Sequence, residues 1–327
     1  MFDNEQDSNH DEREYEKTIR KAIEGSDLQE RVDGLMYFVR KFSNDPSKQA
    51  EVVPYALAAA DVYETLNQPM EQFAALWSAA DSYRFQSKTI ECLDVCTKAH
   101  QLAKENFATK EQAHMLNNIA LANLDLGAVE EAISMAGASA EIWTHEMEPL
   151  EAAKAYALEA KAHQENQDYA NVCLSLDKSI AGFKEAEAHY RLVDSLWRKT
   201  NALIAIGNWD EALASHDLCI AHQQLLQQEF QKIPILFNEA RLQAFKKNHD
   251  TSLAMLDEVM AHWRGQNNLG KAAIVAIERS KSLYALGKNS EATSELKAVL
   301  LVSEGSKFPI NRDEVQQQLS LIEEKAA

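Results

Sequence analysis

One short phrase recurs in the chain at a fixed interval. "LGAVEEAI" occupies residues 126–133, "IGNWDEAL" 206–213 and "LGKNSEAT" 286–293, eighty positions apart each time. With the glycine as pivot and a step of forty, the pivots are Ser87, Gly127, Gln167, Gly207, Lys247 and Gly287. Seven residues before them stand Ala80, Ala120, Ala160, Thr200, Ala240 and Ser280, every one small. Five residues after stand Cys92, Ala132, Val172, Ala212, Ser252 and Ala292, again compact. The columns six after (Leu93, Ile133, Cys173, Leu213, Leu253, Thr293) and thirteen after (His100, Ala140, Ile180, Ile220, Met260, Leu300) are mostly apolar. Agreement of several columns over six registers marks an internal repeat. A repeat of this length is one supersecondary unit that buries its apolar face only by stacking on its neighbours.

Each unit reads as two helices. Apolar and small residues recur at helical spacing before the pivot, as in "MLNNIALANLDLG", and after it, as in "VEEAISMAGASAEIW". Only 10 Gly and 6 Pro occur in 327 residues, and alternating strand patterns are absent, so the composition is all-α. Glycine at the pivot can take the left-handed conformation that ends a helix and turns the chain back. Ser87, Gln167 and Lys247 are expected to make that turn at some cost or with altered geometry. Pro69, Pro149 and Pro309 each lie eighteen residues before a pivot position and suit the first turn of a leading helix.

These signals place leading helices near 70–85, 109–126, 149–166, 189–206, 229–247 and 268–286. Trailing helices fall near 88–105, 129–146, 169–186, 209–227, 249–264 and 289–304. A last helix near 310–325 has no partner after it and reads as a C-terminal cap. Upstream, 11–24, 27–43 and 48–66 read as helices, with "FSNDPSK" (42–48) as a loop. The expected organisation is an acidic tail at 1–10 without fixed structure, N-terminal helices forming a degenerate repeat or cap at 11–66, the array at 67–305, and the capping helix at 306–327.

The net charge is −18, from 51 acidic against 33 basic residues, which argues against nucleic acid as a general partner. No apolar run approaches the ~20 residues needed to span a bilayer. The N-terminus "MFDNEQDSNHDERE" is acidic and polar, unlike a secretory signal, and four cysteines do not make a disulfide framework. A cytoplasmic location is the expectation.

A small residue, a glycine seven later and an alanine five after that, inside antiparallel helix pairs, resembles the tetratricopeptide repeat (TPR) over about 66–327. "LGAVEEAI" and "IGNWDEAL" match its turn closely, "NQDYANVC" and "KNHDTSLA" loosely. The resemblance implies a right-handed superhelical solenoid of about six to seven repeats plus the capping helix. The usual repeat has 34 residues, so this is a long forty-residue variant. Such long-helix variants occur in adaptor proteins and in bacterial peptide-responsive regulators.

Motifs that carry chemistry are weak. "GQNNLGKAA" has the glycine and lysine spacing of a phosphate-cradling loop at Gly265, Gly270 and Lys271, but Ala272 replaces the required Ser or Thr and no strand precedes it. Cys92, Cys96 and His100 share a helical face, yet the first and third are ~12 Å apart along the axis, too far to share one metal ion. Both readings lose to an ordinary inter-repeat turn and to buried core residues. No catalytic constellation is present, and neither a cofactor nor a metal is expected.

Discrimination should instead lie on the leading helices, which line the concave side of such arrays. The column six before the pivot reads Asp81, Leu121, Lys161, Asn201, Arg241, Lys281. Ten before, it reads Trp77, Asn117, Ala157, Trp197, Phe237, Ile277, and three before it includes Tyr284. Cations beside aromatics suit a peptide carrying an acidic group or a C-terminal carboxylate. The candidate binding residues are Trp77, Asn117, Lys161, Trp197, Asn201, Phe237, Arg241, Lys281 and Tyr284. The expected function is non-catalytic binding of a peptide or partner helix in a scaffold or adaptor. The alternatives are a peptide-responsive regulator that sequesters a target protein and a structural subunit of a larger assembly.

Overall fold

The computed structural model describes residues 24–106, 108–226, 231–304 and 310–326, and every regular element among them is an α-helix. They are α1 (Leu28–Phe42), α2 (Gln49–Thr65), α3 (Pro69–Phe85), α4 (Thr89–Glu105), α5 (Thr109–Leu126), α6 (Val129–His145), α7 (Pro149–Glu165), α8 (Tyr169–Glu185), α9 (His189–Ala205), α10 (Trp209–Gln223), α11 (Lys232–Phe245), α12 (His249–Gly265), α13 (Leu269–Ala285), α14 (Asn289–Ser303) and α15 (Arg312–Ala326). The forty-residue register is reproduced, with α3, α5, α7, α9, α11 and α13 leading and α4, α6, α8, α10, α12 and α14 trailing. The expected helix at 11–24, the tail at 1–10 and Pro309 lie outside the described residues. The chain forms two compact units, Met1–Asp168 and Tyr169–Ala327, and the division falls in the turn between α7 and α8.

The turns repeat every twenty residues, twice as often as the glycines suggest. Left-handed backbone occurs at Asn67, Ser87, Gly127, Met147, Gln167, Glu187, Gly207, Lys247, Asn267 and Gly287, with Gln231 the one exception to the step. Steps 107 and 227 lie outside the described residues. After each of the ten left-handed residues on the step, the next amide donates to the carbonyl five residues back. Lys88 to Tyr83 (3.0 Å), Ala128 to Asn123 (2.8 Å), Glu148 to Trp143 (3.1 Å) and Asn248 to Gln243 (2.9 Å) are examples. This is the Schellman arrangement, which satisfies carbonyls at the helix end that would otherwise lack a donor. The expected altered geometry at Ser87, Gln167 and Lys247 does not occur. Their φ values of 56°, 56° and 66° approach the 74–77° of the glycines, so the turn is kept and the side chain accepts the strain.

Most helices are 17 residues long, about 26 Å, and within each unit consecutive helices pack against each other. Pro69 and Pro149 open α3 and α7 in the first turn, where a missing N–H costs nothing. The small columns are the deepest positions. Ala80, Ala120, Ala160, Thr200, Ala240 and Ser280 are buried, as are Cys92, Ala132, Val172, Ala212, Ser252 and Ala292. In the second unit, two cations eighty residues apart tie a leading helix to the trailing helices on either side of it. Lys199 reaches Asp177 (2.7 Å) and Glu211 (3.0 Å), and Arg279 reaches Asp257 and Glu295. In the first unit, Gln49 begins α2 and its amide donates to the carbonyls of Ser43 and Asp45, both at 2.8 Å, closing the end of α1.

The helix α15 packs Val315, Leu319 and Ile322 against α14 and exposes Asp313, Glu314, Gln316 and Gln317 on its other face.

Backbone strain at the turns can be separated from packing. A Cβ at Gly127 would meet no atom within 4 Å, so Gly127→Ala should destabilise by about 1 kcal/mol through its left-handed φ alone. Met147 shares that conformation with its side chain 84% exposed, and Met147→Gly should stabilise by up to ~1 kcal/mol. Urea unfolding of the two variants is expected to move the midpoint in opposite directions.

Candidate functional site

In the second unit, three leading helices lie in succession, α9 touching α11 and α11 touching α13. A forty-residue step therefore places equivalent side chains beside each other across helices. Arg241 on α11 donates from Nη1 to Oδ1 of Asn201 on α9 at 2.9 Å. Its Nε lies 3.8 Å from Oε1 of Glu278 on α13, and the guanidinium sits 5.7 Å over the ring of Phe237. The same Glu278 oxygen receives Nζ of Lys281 at 2.9 Å. Asn201, Arg241, Glu278 and Lys281 thus form one continuous polar chain across three helices.

Burial divides the chain into two parts. The side chains of Arg241 and Glu278 are 17% and 18% exposed, whereas that of Lys281 is 45% exposed. Burial pushes the Arg241 pKa below the usual guanidinium range, and the Glu278 carboxylate opposes that shift. Arg241 is therefore a buried, oriented member, and Lys281 is the cation open to solvent. Trp197 is half-buried on α9. Its carbonyl accepts from Nδ2 of the buried Asn238 at 3.2 Å, and Arg198 lies 5.9 Å over its indole ring. Tyr284 packs at the edge of the core one turn after Lys281.

In the first unit, Trp77 lies on α3, Asn117 on α5 and Lys161 on α7, all half-buried. Trp77 donates its indole N–H to Oδ2 of Asp81 at 3.0 Å. Its ring packs edge-on against Phe73 and lies 4.7 Å from His114, which in turn lies 4.7 Å from Trp143. Burial lowers the pKa of His114, which favours a neutral imidazole inside this aromatic stack. Asp81 is also paired with Arg84 at 2.9 Å, and Arg84 reaches Asn118 at 3.4 Å. Asn117 keeps Oδ1 buried without a hydrogen-bond partner, and Lys161 has no carboxylate at ion-pair distance among the described residues.

Of the nine residues singled out from sequence, Asn201, Phe237, Arg241 and Lys281 are linked in the second unit, Trp197 and Tyr284 lie on the same helices as Asn201 and Lys281, and three stand on leading helices of the first unit. What sequence reasoning missed is Glu278, which converts an expected row of open cations into a paired chain with one exposed end. Its signal was present: it stands three residues before Lys281 on the same helical face, the spacing of an ion pair.

The weaker motifs resolve as turns and core. Asn267 is the left-handed residue within "GQNNLGKAA". Asn268 caps α13 by accepting from the Lys271 amide at 3.1 Å, and Lys271 lies over the Trp263 ring at 4.0 Å. Cys92 and Cys96 are buried with their sulfurs 3.9 Å apart, and the hydrogen bond to Cys92, followed by burial, raises the Cys96 thiol pKa far above its ordinary value. Among the described residues no group of three His, Cys, Asp or Glu side chains is arranged to hold a metal ion, and no helix is long and apolar enough to cross a membrane.

No family model matches the chain, and no curated protein matches it in sequence. Its architecture does match solved structures. Aspartyl phosphate phosphatase F from Bacillus subtilis aligns with a TM-score of 0.58 at 14% identity, over 89% of this chain and 71% of that one. The apo form of RapI aligns with a TM-score of 0.57 at 11% identity, over 96% of both chains. A tetratricopeptide repeat protein from Parabacteroides merdae aligns with a TM-score of 0.53 at 16% identity, over 89% and 98%. At such identities the likeness is one of fold, and the fold is an all-α, TPR-like array of helix pairs. A shared fold does not carry an activity with it.

The buried ion pair has a consequence for stability. Glu278→Gln removes the carboxylate that compensates a mostly buried guanidinium and should destabilise the protein by roughly 1–3 kcal/mol. Lys281→Gln, at an exposed position, should change stability by less than about 1 kcal/mol. Thermal unfolding followed by circular dichroism distinguishes the two.

Proposed function

We propose that the chain is a non-catalytic protein-interaction module whose leading helices bind an extended or helical polypeptide segment carrying an acidic group. The observation that supports this most directly is the chain Asn201–Arg241–Glu278–Lys281 beside Phe237. It contains one cation more than its single carboxylate, and the surplus sits on the exposed Lys281. A ligand carboxylate at Lys281 adds a charge-assisted hydrogen bond while Arg241 retains Glu278. Trp197, Phe237 and Tyr284 supply apolar surface next to that charge, the combination that anchors peptide side chains.

In this reading Asn117, Lys161 and Trp77, on leading helices of the first unit, also take part in binding. Residues 67–305 form the array, the helices before it a degenerate repeat, and 306–327 the cap, for which the polar outer face of α15 is suited. The partner is a protein or peptide, and the use served is that of an adaptor or of a regulator responding to a peptide.

The test is differential selection from a random peptide display library, keeping peptides that bind the parent chain and fail to bind Lys281→Glu. These peptides are expected to be enriched in Asp, Glu or a free C-terminal carboxylate, and to lose affinity about tenfold or more on the substitution. Lys98→Glu, on an exposed position of α4, should leave their binding unchanged. A differential set that is empty, or that shows no carboxylate enrichment, would reject the assignment.

A further inference from the structure

The first unit holds a cleft of about 570 Å³ whose charge is opposite to that of the polar chain on α9, α11 and α13. It opens between the α1–α2 loop, α3 and the start of α5. Its apolar wall is Phe73, Trp77, Met70 and Phe85, and the last two are 42% and 62% exposed, which is high for such side chains. Its charged groups are Asp81, Arg84 and Glu111.

Two of those three are already engaged. Asp81 accepts the Trp77 indole N–H on one oxygen and pairs with Arg84 through the other. Arg84 is held between Asp81 on α3 and Asn118 on α5, so its charge is already engaged. Glu111 has no ion pair or hydrogen-bond partner among the described residues. It stands in the first turn of α5. The cleft therefore presents one uncompensated carboxylate beside aromatic faces.

We propose that this cleft is a subsite for a basic side chain, arginine or lysine, of a polypeptide partner. Charge complementarity selects the occupant. An acidic group would meet Glu111 without a cation free to receive it. A purely apolar group would cover the aromatic wall but strip water from Glu111 without replacing it. A basic side chain satisfies both, laying its aliphatic stem on Met70 and Phe73 and bringing its cation to Glu111 near the Trp77 ring. The volume falls within the ~300–1,000 Å³ typical of ligand clefts, enough for one long side chain with adjoining backbone. The subsite rests on residues of the first unit alone and stands whether or not Lys281 receives a carboxylate.

The experiment uses the full chain with 15N-labelled tryptophan, the Trp77 indole resonance being assigned by its loss in Trp77→Phe. The probes are acetyl-Gly-Arg-Gly-amide, the same peptide with norleucine in place of arginine, and the same peptide with glutamate. The arginine peptide is expected to shift the Trp77 resonance saturably, norleucine about tenfold more weakly, and glutamate not at all. Glu111→Gln should weaken the arginine peptide by about fivefold to tenfold and flatten its salt dependence, with the remaining indole resonances unmoved as the control for folding. Lys281→Glu should leave the titration unchanged. Absence of a saturable shift, equal binding of the arginine and norleucine peptides, unaltered binding by Glu111→Gln, or a titration that follows Lys281→Glu each overturns the proposal.

Discussion

The structure depends on one hydrogen bond made over and over. At ten helix ends among the described residues a residue enters the left-handed region, and the amide that follows it reaches back five residues to a carbonyl of the last turn. That bond reverses the chain within three residues, so a helix of fixed length must be followed by another in the opposite sense. Because the same closure serves both the leading-to-trailing and the trailing-to-leading turns, the structural step is twenty residues and the sequence repeat is forty. Seven of the ten turns on the step carry a side chain where glycine would be unstrained. An L residue there costs about 1 kcal/mol, a sum that only tertiary packing can offset.

That packing is supplied by residues with little side chain to pack. The column seven before each pivot and the column five after it hold Ala, Ser, Thr, Cys or Val, and all are buried. Small residues let helix axes approach and fix each helix in rotation about its axis as well as in position. Fixed rotation is what turns sequence spacing into spatial adjacency. Asn201 and Arg241, forty residues apart, meet at 2.9 Å because α9 and α11 present the same face at the same height. Lys199 and Arg279, eighty apart, each bridge two trailing helices for the same reason.

This explains which parts were legible beforehand. Helix positions, helix pairing and the small columns follow from period and residue size, both of which are local, and the helix at 109–126 was placed to the residue. The turns at Met147 and Glu187 were not visible, because nothing in their side chains favours a left-handed backbone. They take it from the register set by the helices on either side. The site was legible only in outline. Columns identify which residues share a face, but ionic partners are chosen among neighbours one residue off the column, as Glu278 is. Burial adds a distinction that residue type cannot make. Arg241 and Lys281 stand in one column with one charge sign, yet the first is enclosed and the second is open.

The two kinds of position have different chemical uses. A buried guanidinium paired with a carboxylate seldom adds net stability, since desolvation consumes most of the Coulombic gain. What it does add here is orientation. Held by Asn201 on one side and Glu278 on the other, Arg241 fixes the spacing of α9, α11 and α13 at one height and aims the shared carboxylate oxygen at Lys281. The open cation is thereby pre-positioned rather than free to sample the rotamers of an isolated lysine, and in the proposed function less conformational freedom is lost on binding. The same logic holds in the first unit with the signs exchanged, where Asp81 fixes Trp77 and Arg84 and leaves Glu111 as the unspent charge. In the two proposed sites a satisfied pair builds the wall and one residual charge selects the ligand.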